Sequence, residues 1–364
     1  MEKHLGVEGD IRELKESVRD PSAGFFGPDS VTWKVDRENA LLLGGVGALL
    51  LQIAHPKVAA GVDDHSEFRE SPSQRFRRTF DIVDDIIFGD TKMAITASRD
   101  VREIHDDVVG EMEIQTSNFE EGESYDANDP DLLLWVFSTL IDQALVSYET
   151  YVGELTDDEK RRYYQEHKKF GLLMGIPRGR FPDTLDDFYR YYQDTLEDLT
   201  VSKRALELKE TLFRQYRVFG GVYGVLANVT LPEKIREGYE IELNPVEAEV
   251  SRRFPEFAKK SIQRLPPEIR YKKCYHQGLK RIESRKQYNE TASRVNERIH
   301  SPVSDLRYRL VKLSPLLCDP REPRSLSVLP NIWNPGKRGK LSLDQLFVEE
   351  NLLKLTSAYL LVTQ

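Results

Sequence analysis

Histidine and arginine recur in one part of this 364-residue chain at spacings that suit a metal or haem-iron centre. His105 lies in Asp-Val-Arg-Glu-Ile-His-Asp-Asp-Val-Val-Gly (100–110), one helical turn beyond Arg102. An imidazole on a helix, lined by Val101, Ile104 and Val108, can ligate a metal or a haem iron. Arg102, three residues earlier, shares its face and could pair with an anionic group of such a centre. The ordinary alternative is an exposed histidine paired with Glu103, Asp106 or Asp107. Upstream, Arg75-Phe-Arg-Arg-Thr79 puts Arg75, Arg78 and Thr79 on one side of a helix at i, i+3 and i+4, with Arg77 pointing elsewhere. Arginines on an otherwise apolar helix need partners. These are either an anionic ligand or, as a surface stripe, Glu67, Glu70 or Asp81.

Other chemistry is less well supported by the residues. His55, before Pro56, suits the C-terminal end of an apolar helix, where a cation meets the negative end of the dipole. Asp63, Asp64, His65 and Glu67 offer oxygen and nitrogen donors for a metal, but no His-Glu-x-x-His or second paired motif accompanies them. A non-haem metal centre on His55 and His65 is the weakest of the readings. Gly44-Gly45-Val-Gly47 lacks the preceding strand and the following Lys-Ser/Thr of a phosphate loop, so close helix packing explains it better. No Gly-x-Ser-x-Gly elbow is present.

The elements that must position these residues are helical. The pattern predicts a helix over about Arg37–His55, broken at His55-Pro56 because a residue before proline is pushed out of the α region. Another runs from Lys57 to about Asp64. Ser71-Pro-Ser73 opens a helix carrying Phe76, Phe80, Val83 and Ile87, and Met93–Val109 is predicted helical as well. Asp129-Pro-Asp131 caps the very apolar Leu132–Tyr151, Thr156-Asp-Asp-Glu159 is a capping-box pattern, and Thr184 starts a tyrosine-rich helix. Leu206–Asn228 reads as one buried helix. Pro255, Pro266 and Pro267 are expected to break the remainder into short helices as far as about Glu283. No alternating strand pattern and no internal repeat is visible. The expectation is an all-α protein: an N-terminal arm (1–29), one large helical domain (30–283) and a proline-rich C-terminal extension (284–364).

Bulk properties narrow the function. A net charge of −9 argues against nucleic-acid binding, which needs a basic surface. Two distant cysteines, Cys274 and Cys318, give no disulfide framework. The charged N-terminus shows no secretory signal, and the longest apolar run, Leu41–Ala54, is too short for a transmembrane segment. The cytoplasm is the expected location. Nothing in the sequence fixes the oligomeric state.

Taken in order, Leu-Leu-Leu-Gly-Gly-Val-Gly-Ala-Leu-Leu-Leu-Gln-Ile-Ala-His-Pro (41–56), Val-Ala-Ala-Gly-Val-x-x-His-Ser-x-Phe-Arg (58–69), Arg-Phe-Arg-Arg-Thr (75–79), Val-Arg-Glu-Ile-His (101–105), Asp-Pro-Asp-Leu-Leu-Leu-Trp-Val (129–136) and Leu-Pro-Pro-Glu-Ile-Arg-Tyr (265–271) form a series. It resembles the oxygenase family of the fungal MpaB enzyme and the bacterial latex clearing proteins, or rubber oxygenases. The resemblance implies haem b held between helices, with His105 as the proximal iron ligand and Arg102 beside the cofactor. It maps the family's distal Arg-x-x-Lys-Thr motif onto Arg75, Arg78 and Thr79. Arginine replaces the lysine at 78, and a guanidinium keeps its proton and so has no lone pair to offer iron. Phe137 stands where many relatives carry a histidine. The implied reaction is oxidative cleavage of a double bond in a small hydrophobic, isoprenoid-like substrate by dioxygen. The rival on the same fold is a non-catalytic haem- or lipid-binding protein.

Overall fold

A computed structural model describes residues 5–65, 68–69, 72–113, 115, 119–215 and 220–299. Residues as far as Gln287 belong to one compact unit, and those from Tyr288 to a second whose greater part lies outside the described residues. Most of the predicted proline-rich extension (284–364) falls there too.

The first unit is all-α apart from one short hairpin, and it is built around α7 (Pro130–Tyr151). Asp129 caps α7 as its sequence predicts, accepting from the backbone N–H of Asp131, and Pro130 occupies the first turn, where no N–H is needed. The 3-10 segment Asn39–Gly44 and the helices Val31–Asp36, Gly45–Ala54, Asp157–Met174 and Pro245–Ile262 pack on it. On the N-terminal side lie α1 (Leu5–Glu16) and α2 (Val31–Asp36), with Val7, Ile11 and Leu14 of α1 buried on one face. The Ser30 hydroxyl caps α2, and buried Trp33 donates from Nε1 to the Ile87 carbonyl at 2.9 Å.

The predicted Arg37–His55 helix is two elements. A 3-10 turn over Asn39–Gly44 leads into α3 (Gly45–Ala54), because only glycine fits where the chain meets α7. A Cβ on Gly44 would lie 1.8 Å from Ser147 Oγ. His55 then adopts an extended backbone (φ −75°, ψ 120°) and Pro56 starts α4 (Pro56–His65) at 103° to the preceding segment.

The remaining helices are α5 (Pro72–Phe88), α6 (Thr91–Asp106), α8 (Asp157–Met174), α9 (Leu185–Asp198), α10 (Lys203–Gln215), α11 (Gly220–Thr230), α12 (Glu233–Gly238), α13 (Pro245–Ile262), α14 (Pro267–Arg270) and α15 (Lys273–Ile299). Thr156 with Glu159 and Thr184 with Asp187 form reciprocal capping boxes at the starts of α8 and α9.

Three expectations are corrected. The chain does contain strands: β1 (Val109–Glu111) and β2 (Ser124–Asp126) pair antiparallel, each too short to show alternation, and β1 takes over the predicted end of α6. The described residues of the predicted Leu206–Asn228 helix lie in α10 and α11, and residues 216–219 between them lie outside the described residues. Pro255 does not break α13, because Phe254, Ala258 and Ile262 bury one continuous face across it. The last helix does not stop near Glu283 but runs on to Ile299.

One long-range tie matters for the site. Glu38, fully buried, accepts two bonds from Arg270 (2.7 and 2.8 Å), and the Lys272 N–H donates to the Arg37 carbonyl at 2.7 Å. This bidentate pair fixes the segment before α15 against the end of α2. Among the described residues no single helix is long and apolar enough to cross a membrane. Asn39–Ala54 and Pro56–His65 meet the length and composition only as a bent pair, and its first half is core.

Candidate active site

Helices α4 to α8 and Tyr125 of the hairpin enclose a cavity of about 440 Å³, a size ordinary for a cofactor or drug-sized ligand. Its walls are mostly apolar: Val58 and Val62 from α4, Ile82 and Val83 from α5, Val136 and Leu140 from α7. The polar groups converge from three directions. His105 comes from α6, Arg75, Arg78 and Thr79 from α5, and Lys57 and His65 from α4.

His105 is half-buried, and its Nδ1 is buried with no hydrogen-bond partner among the described residues. Burial, reinforced by the Arg75 charge, pushes its pKa down to about 4. The imidazole is therefore neutral at ordinary pH and keeps a lone pair. The exposed-histidine alternative does not describe it.

Arg75 is also half-buried, its guanidinium 5.8 Å from the Phe68 ring centroid, and no described carboxylate pairs with it. Burial lowers its pKa to about 10, which still leaves it a cation. Thr79 donates its hydroxyl proton to the Arg75 carbonyl at 3.1 Å. Arg78 and Thr79 are exposed on the open side of the cavity, and Arg77 pairs with Asp81 at 3.7 Å, away from it. Glu67 and Glu70, the other carboxylates weighed for this cluster, lie outside the described residues. The structure thus brings His105, Arg75, Arg78 and Thr79 to one space.

Arg102 is placed elsewhere. It does not line the cavity; its buried guanidinium donates to the Leu173 carbonyl in the last turn of α8 and to Glu8 Oε1 of α1 at 3.1 Å. The one-turn spacing that put it on the His105 face also put it against the neighbouring helix.

His55 and His65 do not form a centre together. His55 ends α3 through its backbone N–H to Gln52. Burial holds its side chain neutral, with a pKa of about 4, so it is not the charged cap expected. His65 Nε2 lies 3.1 Å from the Tyr125 hydroxyl, which itself donates to Asp64 Oδ2 at 2.8 Å. Asp63 and Asp64 are taken up by Arg69 and Arg204. Among the described residues no group of three or more histidine, cysteine, aspartate and glutamate side chains could hold a metal ion.

Residues that sequence reasoning passed over lie just behind this cavity. Asp36, Tyr163, His167 and Lys272 come from three distant segments and form a buried polar cluster at the far end of a second, smaller space. Arg75, Thr79 and Val83 of α5 line both spaces, as do Phe137 and Phe170. The only local hint was the four-residue spacing of Tyr163 and His167 on α8.

Comparison with known proteins agrees with this arrangement. The model of the family described as ER-bound oxygenase mpaB/B'/rubber oxygenase, catalytic domain, matches residues 33–259, the stretch that carries every wall of the cavity. An uncharacterised protein of Mycobacterium bovis and one of Mycobacterium tuberculosis are each 32% identical over 78 residues, 21% of this chain and 31% of each relative. The chain thus spans about a third of the length of these curated relatives. No solved structure matches. With more than half its length matched, the chain belongs to the mpaB/rubber oxygenase family.

Proposed function

We propose that this chain is a haem-b-dependent oxygenase that cleaves a double bond in a small hydrophobic, isoprenoid-like substrate, with His105 as the residue that would hold the iron. The observation that carries this reading is the His105 side chain itself. It is a neutral imidazole with a buried, unpartnered ring nitrogen, on the wall of an apolar cavity that also carries two arginines. These residues fit haem: a lone pair for iron, cationic groups for propionates, and apolar walls for a flat macrocycle. Haem, when bound, supplies the redox chemistry with dioxygen that amino-acid side chains lack.

The chain's own residues do the rest. Arg75 and Arg78 present fixed positive charge to whatever negative charge enters or develops in the cavity. Arg78 donates hydrogen bonds but never a lone pair, so its part is electrostatic. The Thr79 hydroxyl, its proton engaged by the Arg75 carbonyl, has lone pairs left to accept a bond. Val83, Val136 and Leu140 exclude water and hold an alkene by contact. A reducing, cytoplasmic setting is part of the same proposal and rests on the two widely separated cysteines.

The test is the absorption spectrum of protein purified with ample haem. A Soret band that is lost or displaced in His105→Ala supports the assignment. Absence of the band from the wild type overturns the haem reading, and an unaltered spectrum in the variant overturns the ligand. The arginine at 78, in place of the family's lysine, favours one second reading, a haem carrier without turnover. Oxygen uptake with an isoprenoid alkene separates the two.

A further inference from the structure

Behind the main cavity lies the smaller chamber of about 110 Å³, bounded by α2, the 3-10 turn, α3, α5, α7, α8 and the segment at Lys272. Most of its wall is apolar, including Leu41, Ala48, Ile87 and Ile141, and Gly44 and Gly45 present backbone to it. Its far end is not apolar. The Asp36 side chain is 9% exposed, and its Oδ2 is buried with no hydrogen-bond partner among the described residues. Its neighbours leave that oxygen over: Lys272 Nζ bonds Asp84 at 2.7 Å, and the Tyr163 phenol bonds the same Asp36 carboxyl.

His167 faces Asp36 without bonding it. Its Nδ1 lies 3.1 Å from the Tyr163 carbonyl, an acceptor only, so the ring proton sits there and Nε2 carries the lone pair. Nε2 is 3.6 Å from Asp36 Oδ2, beyond hydrogen-bond range. Burial pushes His167 down to about 3 and Asp36 up to about 7, so the two do not form an ion pair. Two acceptors, the buried Asp36 Oδ2 and His167 Nε2, thus face each other on the wall of a largely apolar chamber. A buried polar atom left unpaired is costly, and what satisfies this pair must donate at least one proton and be neutral. An ammonium would meet Lys272, and a carboxylate would meet Asp36.

We propose that this chamber receives the hydroxyl end of a chain-like hydrophobic alcohol, held by Asp36 and His167, with the rest of the chain passing Phe137 into the main cavity. The inference deepens the oxygenase reading by naming a substrate class, and it rests on that reading only for what happens to the chain in the main cavity. A hydroxyl suits the site because it donates its proton to Asp36 Oδ2, which an ether cannot do, with His167 Nε2 as the neighbouring acceptor. Phe137, edge-on to Phe181 at 5.5 Å, lines both spaces and so stands where the chain would pass.

The experiment is titration calorimetry on the full chain, with and without haem, using farnesol, its methyl ether and the parent hydrocarbon. The wild type should bind farnesol about tenfold more tightly than the ether, one good hydrogen bond's worth. In Asp36→Leu that preference should fall to about twofold or less while hydrocarbon affinity is kept; Asp36→Asn should retain part of it. Equal affinity for alcohol and ether in the wild type overturns the proposal, leaving ordered water as the chamber's occupant. An unchanged preference in Asp36→Leu also overturns it. Binding is read without haem, so a missing Soret band would sink the oxygenase reading and leave this result standing.

Discussion

Arg102 offers a clean discrimination between a structural and a cofactor-binding role, and Arg102→Met is the perturbation. In the structure its guanidinium is the partner of the Leu173 carbonyl, in the last turn of α8, where no backbone N–H takes that oxygen. Losing a hydrogen bond to a charged group, with the carbonyl left buried, costs about 1.5–3 kcal/mol. The second bond, to the half-exposed Glu8, adds at most about 1 kcal/mol because solvent screens it. Methionine recovers part of the packing of the arginine stem. The net loss should be about 2–3 kcal/mol, which for a unit of this size lowers Tm by roughly 4–10 °C. Thermal melting followed by circular dichroism reads this directly, and a haem titration of the same sample reads the cavity. A lower Tm with an unchanged Soret band is the expected outcome. A Tm within about 1 °C of wild type together with a weakened or shifted Soret band would refute the placement of Arg102 and return it to the cofactor.

Close packing and burial each give a further expected outcome. Gly44→Ala drives a Cβ to 1.8 Å from Ser147 Oγ and 3.3 Å from the Gln143 carbonyl, so it should cost about 1–3 kcal/mol in a urea melt. Adding Ser147→Ala should restore part of that, and additive losses in the double variant would contradict the contact. For pH, His167 protonates near 6.5 when unfolded but only near 3 when folded. The unfolded state therefore takes up the proton first, and stability falls as pH drops from about 6.5 toward 3. Asp36, raised to about 7, has the opposite sign: its contribution falls as pH rises from about 3.8 to 7. The His167→Phe variant should consequently lose less stability than wild type between pH 6.5 and 4, by up to about 3 kcal/mol, in melts across that range. Equal acid-side losses in the two proteins would contradict it.

Local rules carried the sequence a long way. Asp129, Thr156 and Thr184 announce their helix starts because capping depends on residues within one turn of each other. His55-Pro56 announces a corner for the same reason. Pro255 misleads because its cost is local while the face that overrides it, Phe254, Ala258 and Ile262, gains its stability from other helices. The hairpin escapes notice because three residues per strand carry no period. At the site, His105, Arg75, Arg78 and Thr79 were legible as a constellation, because each lies on a helix with a readable face. Whether Arg102 or His105 turned toward the cavity was not, since residues one turn apart diverge only once the neighbouring helix is placed. Asp36, His167 and Lys272 were invisible together: more than a hundred residues separate each from the next, and the Glu38–Arg270 tie, between segments far apart in the chain, helps bring the last of them into place.

Helix α5 is the party wall of two rooms. Arg75, Thr79 and Val83 face the cavity of His105 and the chamber of Asp36 alike. Whatever settles against them on one side fixes the rotamers available on the other. Linkage then makes the influence mutual: a ligand in the inner chamber that tightens or loosens the outer one must be tightened or loosened by the same factor in return. Affinities measured for either space alone describe a protein with its other room empty.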